Sequence, residues 1–262
     1  MLLEVNNLAV AYGKGKPPTI QNITFSMNEK EVIALVGESG SGKTTVIRAI
    51  QGVLPGEGHI TEGRAFFMGK DLSEDNDEQR RAMCGTEISM IFQDSGNMMN
   101  PIRTIGKQFS DYLKAHGKTD AKEIHDIMIS SLEMVRLPRP EQILQSYTFE
   151  LSGGMRQRVG IAMSMSLHPK LLLADEPTSA LDVTTQASIV KKMMEVKEEM
   201  NTAIIIVTHN LGVAAYMADR ILVMKHGHPI EYGTAEQVIY HPQHEYTRML
   251  IDSVPTLERR AL

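Results

Sequence analysis

The sequence predicts an α/β protein with a mostly parallel sheet, and two apolar runs with a helix between them carry that prediction. LLLAD (171–175) and AIIIVTH (203–209) each match a short buried strand that ends in polar residues. The residues between them place an apolar stripe on one face of a helix: Ile189, Met193, Val196 and Met200. Fully apolar strands that alternate with helices indicate parallel pairing, with both faces of the sheet covered.

The N-terminal part of the chain predicts the first elements of this fold. Residues 2–60 alternate apolar and polar side chains between glycine turns, which predicts short antiparallel strands. These lead into a buried strand at Val32–Val36 and then a helix from Lys43 to about Gly52. We therefore expect an N-terminal antiparallel β-subdomain joined to a mixed or parallel core.

A helical stretch follows over residues 97–150. Its clearest feature is an apolar stripe with spacings of four, four and three residues: Ile124, Met128, Leu132 and Val135. LPRP (137–140) then ends the helix. Because strands resume after this stretch, we expect an α-helical subdomain inserted into the α/β core.

These patterns set the expected boundaries within one domain. The core with its β-subdomain takes residues 1–96 and 151–240, the helical subdomain takes 97–150, and a C-terminal tail takes 241–262. The polar, acidic segment DLSEDNDEQR (71–80) predicts a solvated loop and first helical turn rather than an acidic binding tail.

Composition narrows the class of protein. The 262 residues carry a formal charge of −5, which offers no general attraction to nucleic acid or acidic lipid. The single cysteine, Cys84, excludes an internal disulfide and a four-cysteine metal site. Glu4 and two asparagines interrupt the apolar start, so no signal peptide is expected, and no apolar run approaches the ~20 residues of a membrane span. We expect a cytosolic chain that meets a membrane only through a partner.

The segment after the strand at Val32–Val36 matches a phosphate-binding loop, since GESGSGKT (37–44) fits G-x-x-x-x-G-K-[ST] in full. The candidate binding residues are Gly37, Glu38, Ser39, Gly40, Ser41, Gly42, Lys43, Thr44 and Thr45. Glycines let successive backbone N–H groups turn towards phosphate oxygens at the positive end of the next helix. Lys43 would reach the β- and γ-phosphates, and the Thr44 hydroxyl would hold Mg²⁺. Kinases, GTPases, helicases and transport ATPases all carry such loops, so other residues must choose among them.

Two acids follow a second buried strand. In LLLADEP (171–177), Asp175 and Glu176 come at the carboxyl end of the strand, the edge of a parallel sheet at which ligands bind. Asp175 is therefore a candidate Mg²⁺ ligand. Glu176 is a candidate general base that would polarise water for attack on a γ-phosphate.

LSGGMRQR (151–158) resembles the signature of the ATP-binding cassette (ABC) family. The resemblance implies that family's nucleotide-binding fold, with a RecA-like core. It also implies that Ser152, Gly153 and Gly154 contact the γ-phosphate of an ATP held by another subunit, so that two cassettes sandwich two nucleotides head to tail. Exposed N–H groups at a helix N-terminus suit an anion, and glycine permits close approach.

Four more positions match the family one by one. Gln93 in IFQD resembles the glutamine that senses the γ-phosphate and Mg²⁺ and links to the membrane partner. Asp182 in SALD resembles the acid of the cross-dimer loop. His209 resembles the histidine that holds the γ-phosphate and the geometry of the catalytic glutamate, and Tyr12 stands where the family has an aromatic that stacks on adenine.

The tail is typical of one branch of the family. HPQHEYTRMLIDSVP (241–255) resembles the stretch that closes the ATPases of dipeptide, oligopeptide and nickel importers, typically H-P-Y-T-R-x-L-L-x-x-x-P. The resemblance implies a peripheral subunit on the cytoplasmic face of a bacterial inner membrane that hydrolyses ATP with Mg²⁺. Its expected partners are two permeases, a second ATPase subunit of the same or a similar chain, and an extracytoplasmic substrate-binding protein, with no nucleic acid.

Some residues depart from that branch. Lys30 replaces a usual glycine, Thr148 a usual proline before the signature, and Glu245 the second proline of the tail. IFQDSGNMMNP (91–101), the segment expected to face the permease, lacks the usual proline after the Q-D pair. Some peptide-importer members end in a cysteine-bearing extension that this sequence lacks, and its compact length favours a nickel or metal-chelate importer slightly. The cargo stays open between peptides and metal chelates.

Three other classes fit less well. A soluble cassette ATPase acting on DNA or ribosomes is the main alternative, but the sequence has no long heptad run and a single set of motifs. A GTPase or small-molecule kinase would leave the signature unexplained, and the guanine motif N-K-x-D is missing. An exporter is compatible with the motifs, but the tail favours import.

Overall fold

The computed structural model describes residues 1–74, 77–93, 98–179 and 183–253. Its contacts divide the chain into two compact units. The first unit combines residues 1–76 with residues 203–262, and the second consists of residues 77–202. Asp182, the predicted acid of the cross-dimer loop, lies outside the described residues.

Strands and helices alternate along much of the chain. In the described ranges the strands are β1 (Leu3–Tyr12), β2 (Ile20–Met27), β3 (Val32–Val36), β4 (Gly58–Phe67), β5 (Lys70–Asp71), β6 (Ile88–Ile91), β7 (Leu171–Asp175), β8 (Ala203–Thr208), β9 (Arg220–Lys225) and β10 (His228–Thr234). The α-helices there are α1 (Lys43–Gln51), α2 (Asp77–Met83), α3 (Ile105–Ala115), α4 (Ala121–Met134), α5 (Pro140–Gln145), α6 (Gly153–Met165), α7 (Val183–Met200), α8 (Leu211–Met217), α9 (Ala235–Tyr240) and α10 (Glu245–Asp252). Among these helices, none combines the length and the apolar character that crossing a membrane requires.

The first unit contains the predicted antiparallel sheet. Its strands lie in the order β2-β1-β4-β5, and β1 pairs antiparallel with both β2 and β4. In the centre of this sheet Val5 lies opposite Phe25 on one side and Ala65 on the other, and all three side chains are buried. β4 continues to Phe67, beyond residue 60, where the predicted pattern of strands ended.

The first unit also contains parallel strands, as the apolar runs predict. β3 pairs parallel with β8 on one side and with β9 on the other, and β10 adds to β9 in antiparallel fashion. Every residue of β3 and β8 is buried, which agrees with the apolar sequence of strands covered on both faces. Val36, the last residue of β3, lies opposite Thr208, the last residue of β8. Both strands therefore end at the same edge.

The second unit repeats the parallel pairing and carries the helical stretch. β6 pairs parallel with β7, with Ile91 opposite Ala174. α4 begins at an N-cap, Asp120, whose carboxylate accepts a hydrogen bond from the Glu123 N–H at 2.7 Å. The predicted stripe is buried, and α4 ends at Met134, just before LPRP. The predicted helix and its end are confirmed.

The acidic segment is less solvated than its composition predicts. Asp71 is buried, and its carboxylate accepts hydrogen bonds from the Arg64 guanidinium at 2.9 Å and from the Ser73 N–H and hydroxyl at 2.8 and 2.6 Å. These donors hold the pKa of Asp71 below its usual value, although burial by itself would raise it. The prediction of a solvated loop is therefore wrong at Asp71, because these partners replace water.

Candidate active site

The phosphate loop connects β3 to α1 in the first unit, and two glycines fix its shape. Gly37 has a φ of 148° and Gly42 has a φ of 97°. A Cβ atom at Gly37 would lie 2.2 Å from the carbonyl oxygen of Met224, and one at Gly42 would lie 2.4 Å from the Cγ2 atom of Ile20. Only glycine fits either position, so packing within the first unit determines the conformation of the loop.

The Lys43 ammonium group lies inside this loop. Lys43 is 5% exposed, and its Nζ atom donates hydrogen bonds to the carbonyl oxygens of Gly37 at 2.8 Å and Glu38 at 2.7 Å. It also lies 3.3 Å from the Ser41 hydroxyl. A buried cation beside the N-terminus of a nine-residue helix is a favourable place for an anion. These residues therefore fit the phosphates of a nucleotide.

Two further predicted residues lie near the loop in the first unit. The Tyr12 hydroxyl is 3.5 Å from the Thr45 hydroxyl in the first turn of α1, and the Tyr12 ring is half-buried. His209 is exposed and directly follows Thr208. Because Thr208 lies opposite Val36, the residue before the loop, the register places His209 at the sheet edge where the loop begins.

In the second unit the structure brings Gln93 to Glu176. The Gln93 Nε2 atom donates to the Glu176 Oε2 atom over 3.4 Å. This proximity follows from the parallel pairing of β6 with β7, because Gln93 and Glu176 each lie two residues beyond the pair formed by Ile91 and Ala174. Asp175, the last residue of β7, is 1% exposed.

Glu176 has an unusual backbone conformation that hydrogen bonds hold in place. Its φ is 45°, in the left-handed region that residues other than glycine rarely adopt. The Glu176 carbonyl oxygen accepts hydrogen bonds from the Ser179 N–H at 3.2 Å and the Ser179 hydroxyl at 3.1 Å. Strained backbone of this kind concentrates at functional sites. The turn that carries the predicted base is therefore tightly specified.

Gln157 supports this turn, although it is not among the predicted site residues. It lies on α6, is 3% exposed, and donates through its Nε2 atom to the carbonyl oxygen of Pro177 at 2.9 Å. The same atom lies 3.5 Å from the carbonyl oxygen of Phe92. The sequence offers one hint of this role: Gln157 lies four residues before the apolar Ile161 and so shares its face of the helix. Both side chains are buried, and a buried polar side chain needs a hydrogen-bond partner.

The signature residues lie at the start of α6, facing outwards. Ser152 is the N-cap, and its hydroxyl accepts a hydrogen bond from the Met155 N–H at 3.3 Å. Ser152 and Gly153 are exposed, and the nearest atom to a Cβ added at Gly153 would be 3.9 Å away. The N-terminus of this 13-residue helix is thus accessible to an anion.

Comparison with known proteins identifies the family. A family model described as ABC transporter matches residues 20–179, which include the phosphate loop, the signature and Glu176. The chain belongs to the ABC transporter family. A second model, described as the oligopeptide/dipeptide transporter C-terminal region, matches residues 230–262 of this ABC ATPase.

Similar proteins from several bacteria align with nearly the whole ABC ATPase. The oligopeptide transport ATP-binding protein OppD of Bacillus subtilis is 43% identical over 261 residues, which cover 98% of this chain and 73% of that protein. The dipeptide transport ATP-binding protein DppD of the same organism is 41% identical, with coverages of 98% and 78%. The glutathione import ATP-binding protein GsiA of Escherichia coli is 40% identical, with coverages of 98% and 42%.

Solved structures of cassettes share the fold. A dimeric ATP-binding cassette in a post-hydrolysis state, bound to ADP and Pi, aligns with a TM-score of 0.80 and 25% identity over 89% of this chain and 99% of that one. CbiO1 of Clostridium perfringens, part of an ABC transporter complex, aligns with a TM-score of 0.77 and 27% identity over 92% and 91%. The predicted family, fold and ATPase activity are confirmed, and these relatives give no support to the alternative of an ATPase acting on DNA or ribosomes.

Proposed function

We propose that the protein is the ATP-hydrolysing subunit of a bacterial importer for short peptides. The observation that carries this proposal is the match of residues 230–262 to the C-terminal region of oligopeptide and dipeptide transporters. Relatives named for oligopeptide and dipeptide transport support it, since they align with 98% of the chain. Glutathione, the cargo named for another relative, is itself a peptide. Nickel or metal chelates remain the alternative cargo, which none of these names favours.

The proposed roles in the first unit concern nucleotide binding. The backbone N–H groups of residues 39–45 and the Lys43 ammonium group hold the phosphates of ATP, with the positive end of α1 adding to the attraction. The geometry that supports this role is the burial of Lys43 among the loop carbonyls. The Tyr12 ring stacks on adenine, and His209 contacts the γ-phosphate.

The proposed roles in the second unit concern hydrolysis. Glu176 takes a proton from water as the water oxygen bonds to the γ-phosphorus and the bond to the β-phosphate oxygen breaks, which yields ADP and inorganic phosphate. The contact of 3.4 Å between Gln93 and Glu176 supports a role for Gln93 in orienting the base. Asp175 and Gln93 in this unit carry the carboxylate and amide oxygens that Mg²⁺ prefers, and Thr44, in the first unit, is proposed to supply a hydroxyl. Bound Mg²⁺ would neutralise charge on the phosphate oxygens.

The signature requires a second ATPase subunit. Ser152, Gly153 and Gly154 are proposed to contact the γ-phosphate held by that subunit, and Asp182 belongs to the loop that crosses the dimer. The exposure of the α6 N-terminus supports this role, because a helix N-terminus that is accessible to another molecule can bind an anion which that molecule holds.

The second unit also offers a surface for the permeases. Met98, Ile102 and Phe149 are 64, 82 and 69% exposed, although apolar side chains of this size are usually buried. An antiparallel bridge between Thr104 and Tyr147 brings the segments that carry Ile102 and Phe149 side by side. Exposed apolar residues that lie side by side, as Ile102 and Phe149 do, favour contact with another protein. We propose two permeases as the partners there and an extracytoplasmic binding protein as the source of cargo, with this subunit on the cytoplasmic face of the membrane.

The test replaces the proposed base. Glu176→Gln keeps the size of the side chain but cannot take a proton, so we expect ATP binding to persist while turnover falls at least about 100-fold. Glu199→Gln, an exposed position on α7 in the same unit, is the matched control and should hydrolyse ATP normally. A Glu176→Gln protein that turns over ATP like its control would remove Glu176 from the mechanism.

The same variant serves to identify the transporter. Tagged Glu176→Gln protein is recovered from native membranes with ATP present, and its partners are identified by mass spectrometry. Two permeases, a second ATPase and a binding protein whose purified form binds short peptides are the expected result. A binding protein that takes up nickel chelates instead would reassign the cargo, and recovery of ribosomal or chromatin proteins without permeases would refute the transport function.

A further inference from the structure

The C-terminal tail reaches the phosphate loop through one tyrosine. Tyr246, the second residue of α10, is 3% exposed, and its hydroxyl accepts a hydrogen bond from the Glu38 N–H at 3.1 Å. The Lys225 ammonium group lies 4.5 Å from the centre of the Tyr246 ring, within the range of a cation–π contact. Both contacts lie within the first unit. Glu38, the second residue of the loop, is thus hydrogen-bonded to a residue 208 positions later in the chain.

A dedicated set of hydrogen bonds holds this tail against β10. The Glu231 carboxylate accepts from the Gln243 N–H at 2.8 Å and from the His244 N–H at 3.1 Å. Burial alone would raise the pKa of Glu231, but hydrogen bonds to its carboxylate, that from the Gln243 N–H foremost, outweigh it and the pKa lies below its ordinary value. The His244 Nδ1 atom accepts from the Tyr246 N–H at 3.0 Å and so caps α10. Tyr246 is thus anchored through the residues that directly precede it in the chain.

Two different groups hold the Glu38 peptide unit and its neighbour. Tyr246 binds the Glu38 N–H, while Lys43 binds the Glu38 and Gly37 carbonyl oxygens. When the Lys43 ammonium group turns to phosphate oxygens, it must share or release those carbonyls, because it has only three N–H bonds. Phosphate binding does not compete with the bond to Tyr246, because the Glu38 N–H is directed at the tyrosine hydroxyl rather than at a phosphate. It can therefore persist in the ATP-bound loop.

We propose that Tyr246 is a positioning residue for the phosphate loop, and that residues 241–252, here called the tail latch, hold the start of that loop in the conformation that binds ATP. The tail latch never touches the nucleotide. It lowers the cost of ordering the loop when Lys43 is drawn to phosphate, so it strengthens ATP binding. This inference rests on the proposed role of residues 39–45 in binding the phosphates.

The direct test is Tyr246→Phe in the full chain, which keeps the ring over Lys225 and removes only the acceptor for the Glu38 N–H. Without the bond the start of the loop can leave the binding conformation, and restoring it costs at most the value of that hydrogen bond. ATP affinity, measured by titration calorimetry with Mg²⁺, should therefore fall by about three- to tenfold at most. Turnover at saturating ATP should stay within about twofold of wild type, because the reacting groups are unchanged. The matched control is Tyr232→Phe, which removes a hydroxyl that lies 3.5 Å from the Ser26 carbonyl oxygen in the same unit and should leave affinity unchanged.

A second readout follows the hydrogen bond itself. In the nucleotide-free chain, hydrogen exchange of the Glu38 amide, followed by NMR, should be faster in Tyr246→Phe than in Tyr232→Phe. Glu231→Gln, which weakens the anchor of the tail latch, should also lower ATP affinity. Combined with Tyr246→Phe, it should add less than its separate effect, because the two changes act through one contact.

The outcomes separate this inference from the function on which it rests. Lys43→Ala should weaken ATP binding whether or not the tail latch exists, so unchanged affinity in that variant would overturn the role of the loop. Weakened binding in Lys43→Ala together with wild-type affinity in Tyr246→Phe would overturn the tail latch alone. A loss of turnover in Tyr246→Phe with no change in ATP affinity would also contradict a positioning role for the loop.

Discussion

Replacement of Gly37 by alanine should distort the phosphate loop, and the structure sets the size of the effect. The added Cβ would lie 2.2 Å from the Met224 carbonyl oxygen, about 0.8 Å short of the 3.0 Å that real Cβ contacts respect, and 2.9 Å from the Ser41 hydroxyl oxygen. The first of these neighbours is backbone on β9, so it cannot swing aside as a side chain can. The loop itself must therefore move, and displacement on this scale in a binding site costs about 100-fold in activity.

The folded state should lose stability as well. A φ of 148° strains alanine by about 1–3 kcal/mol, and the overlap adds a cost of similar size. A total of about 3 kcal/mol corresponds to a fall in Tm of about 6–12 °C for a chain of this size. We expect thermal unfolding to show that fall and titration calorimetry to show at least about tenfold weaker ATP binding.

Gly69→Ala separates strain from overlap. Gly69 has a φ of 80° and lies in the first unit, but no atom lies within 4 Å of an added Cβ, so only the backbone strain of about 1 kcal/mol applies. Its Tm should fall by about 2–4 °C, with normal ATP binding. If Gly37→Ala were as stable as Gly69→Ala and bound ATP as well, packing against β9 would not determine the conformation of the loop.

Two further predictions concern side chains that hold the site from outside. Gln157→Leu should leave the Pro177 carbonyl without its donor, which costs about 1–3 kcal/mol of stability and lowers both Tm and kcat. Gln145→Leu, at an exposed position, is the control and should change neither. Equal stability and turnover in the two variants would refute the supporting role of Gln157. The stability that Glu231 adds by anchoring the tail latch should depend on pH, because its pKa in the folded state lies below the ordinary value of 4.5. This stabilisation is complete above pH 4.5 and disappears as the pH falls through the folded-state pKa. The difference in Tm between wild type and Glu231→Gln should therefore be constant at about pH 6–8 and shrink below about pH 4.5, and a difference that grows in acid would contradict the assignment.

Elements with a strong local signal could be predicted from the sequence. β3 and β8 are apolar throughout, and α4 carries its stripe at regular helical spacing, so a window of a few residues suffices in each case. The phosphate loop and the acids after β7 were found in the same way, because each motif directly follows a buried strand. Local pattern therefore determines most of the core and the positions of the predicted site residues along the chain.

Contacts between distant residues could not be predicted in this way. The bond between Tyr246 and Glu38 joins residues 208 positions apart, and nothing in the pattern around either residue indicates the other. Asp71 shows a different limit, because its partners Arg64 and Ser73 are only seven and two residues away but the acidic composition around it predicts solvent. Composition does not show which side chains a strand and the turn after it bring together.

The backbone at Glu176 shows why the site needs such distant support. A glutamate at a φ of 45° costs about 1–3 kcal/mol relative to ordinary backbone, and a lone turn would relax to avoid that cost. Here Ser179 binds the Glu176 carbonyl oxygen, and Gln157 binds the next carbonyl along, that of Pro177. Each bond contributes about 1 kcal/mol, so the contacts together can offset the strain and select one orientation of the turn. The proposed base, Glu176, would then enter the reaction already oriented, because α6 holds the peptide next to it. The helix that carries the signature therefore also supports the turn of Glu176 in its own chain.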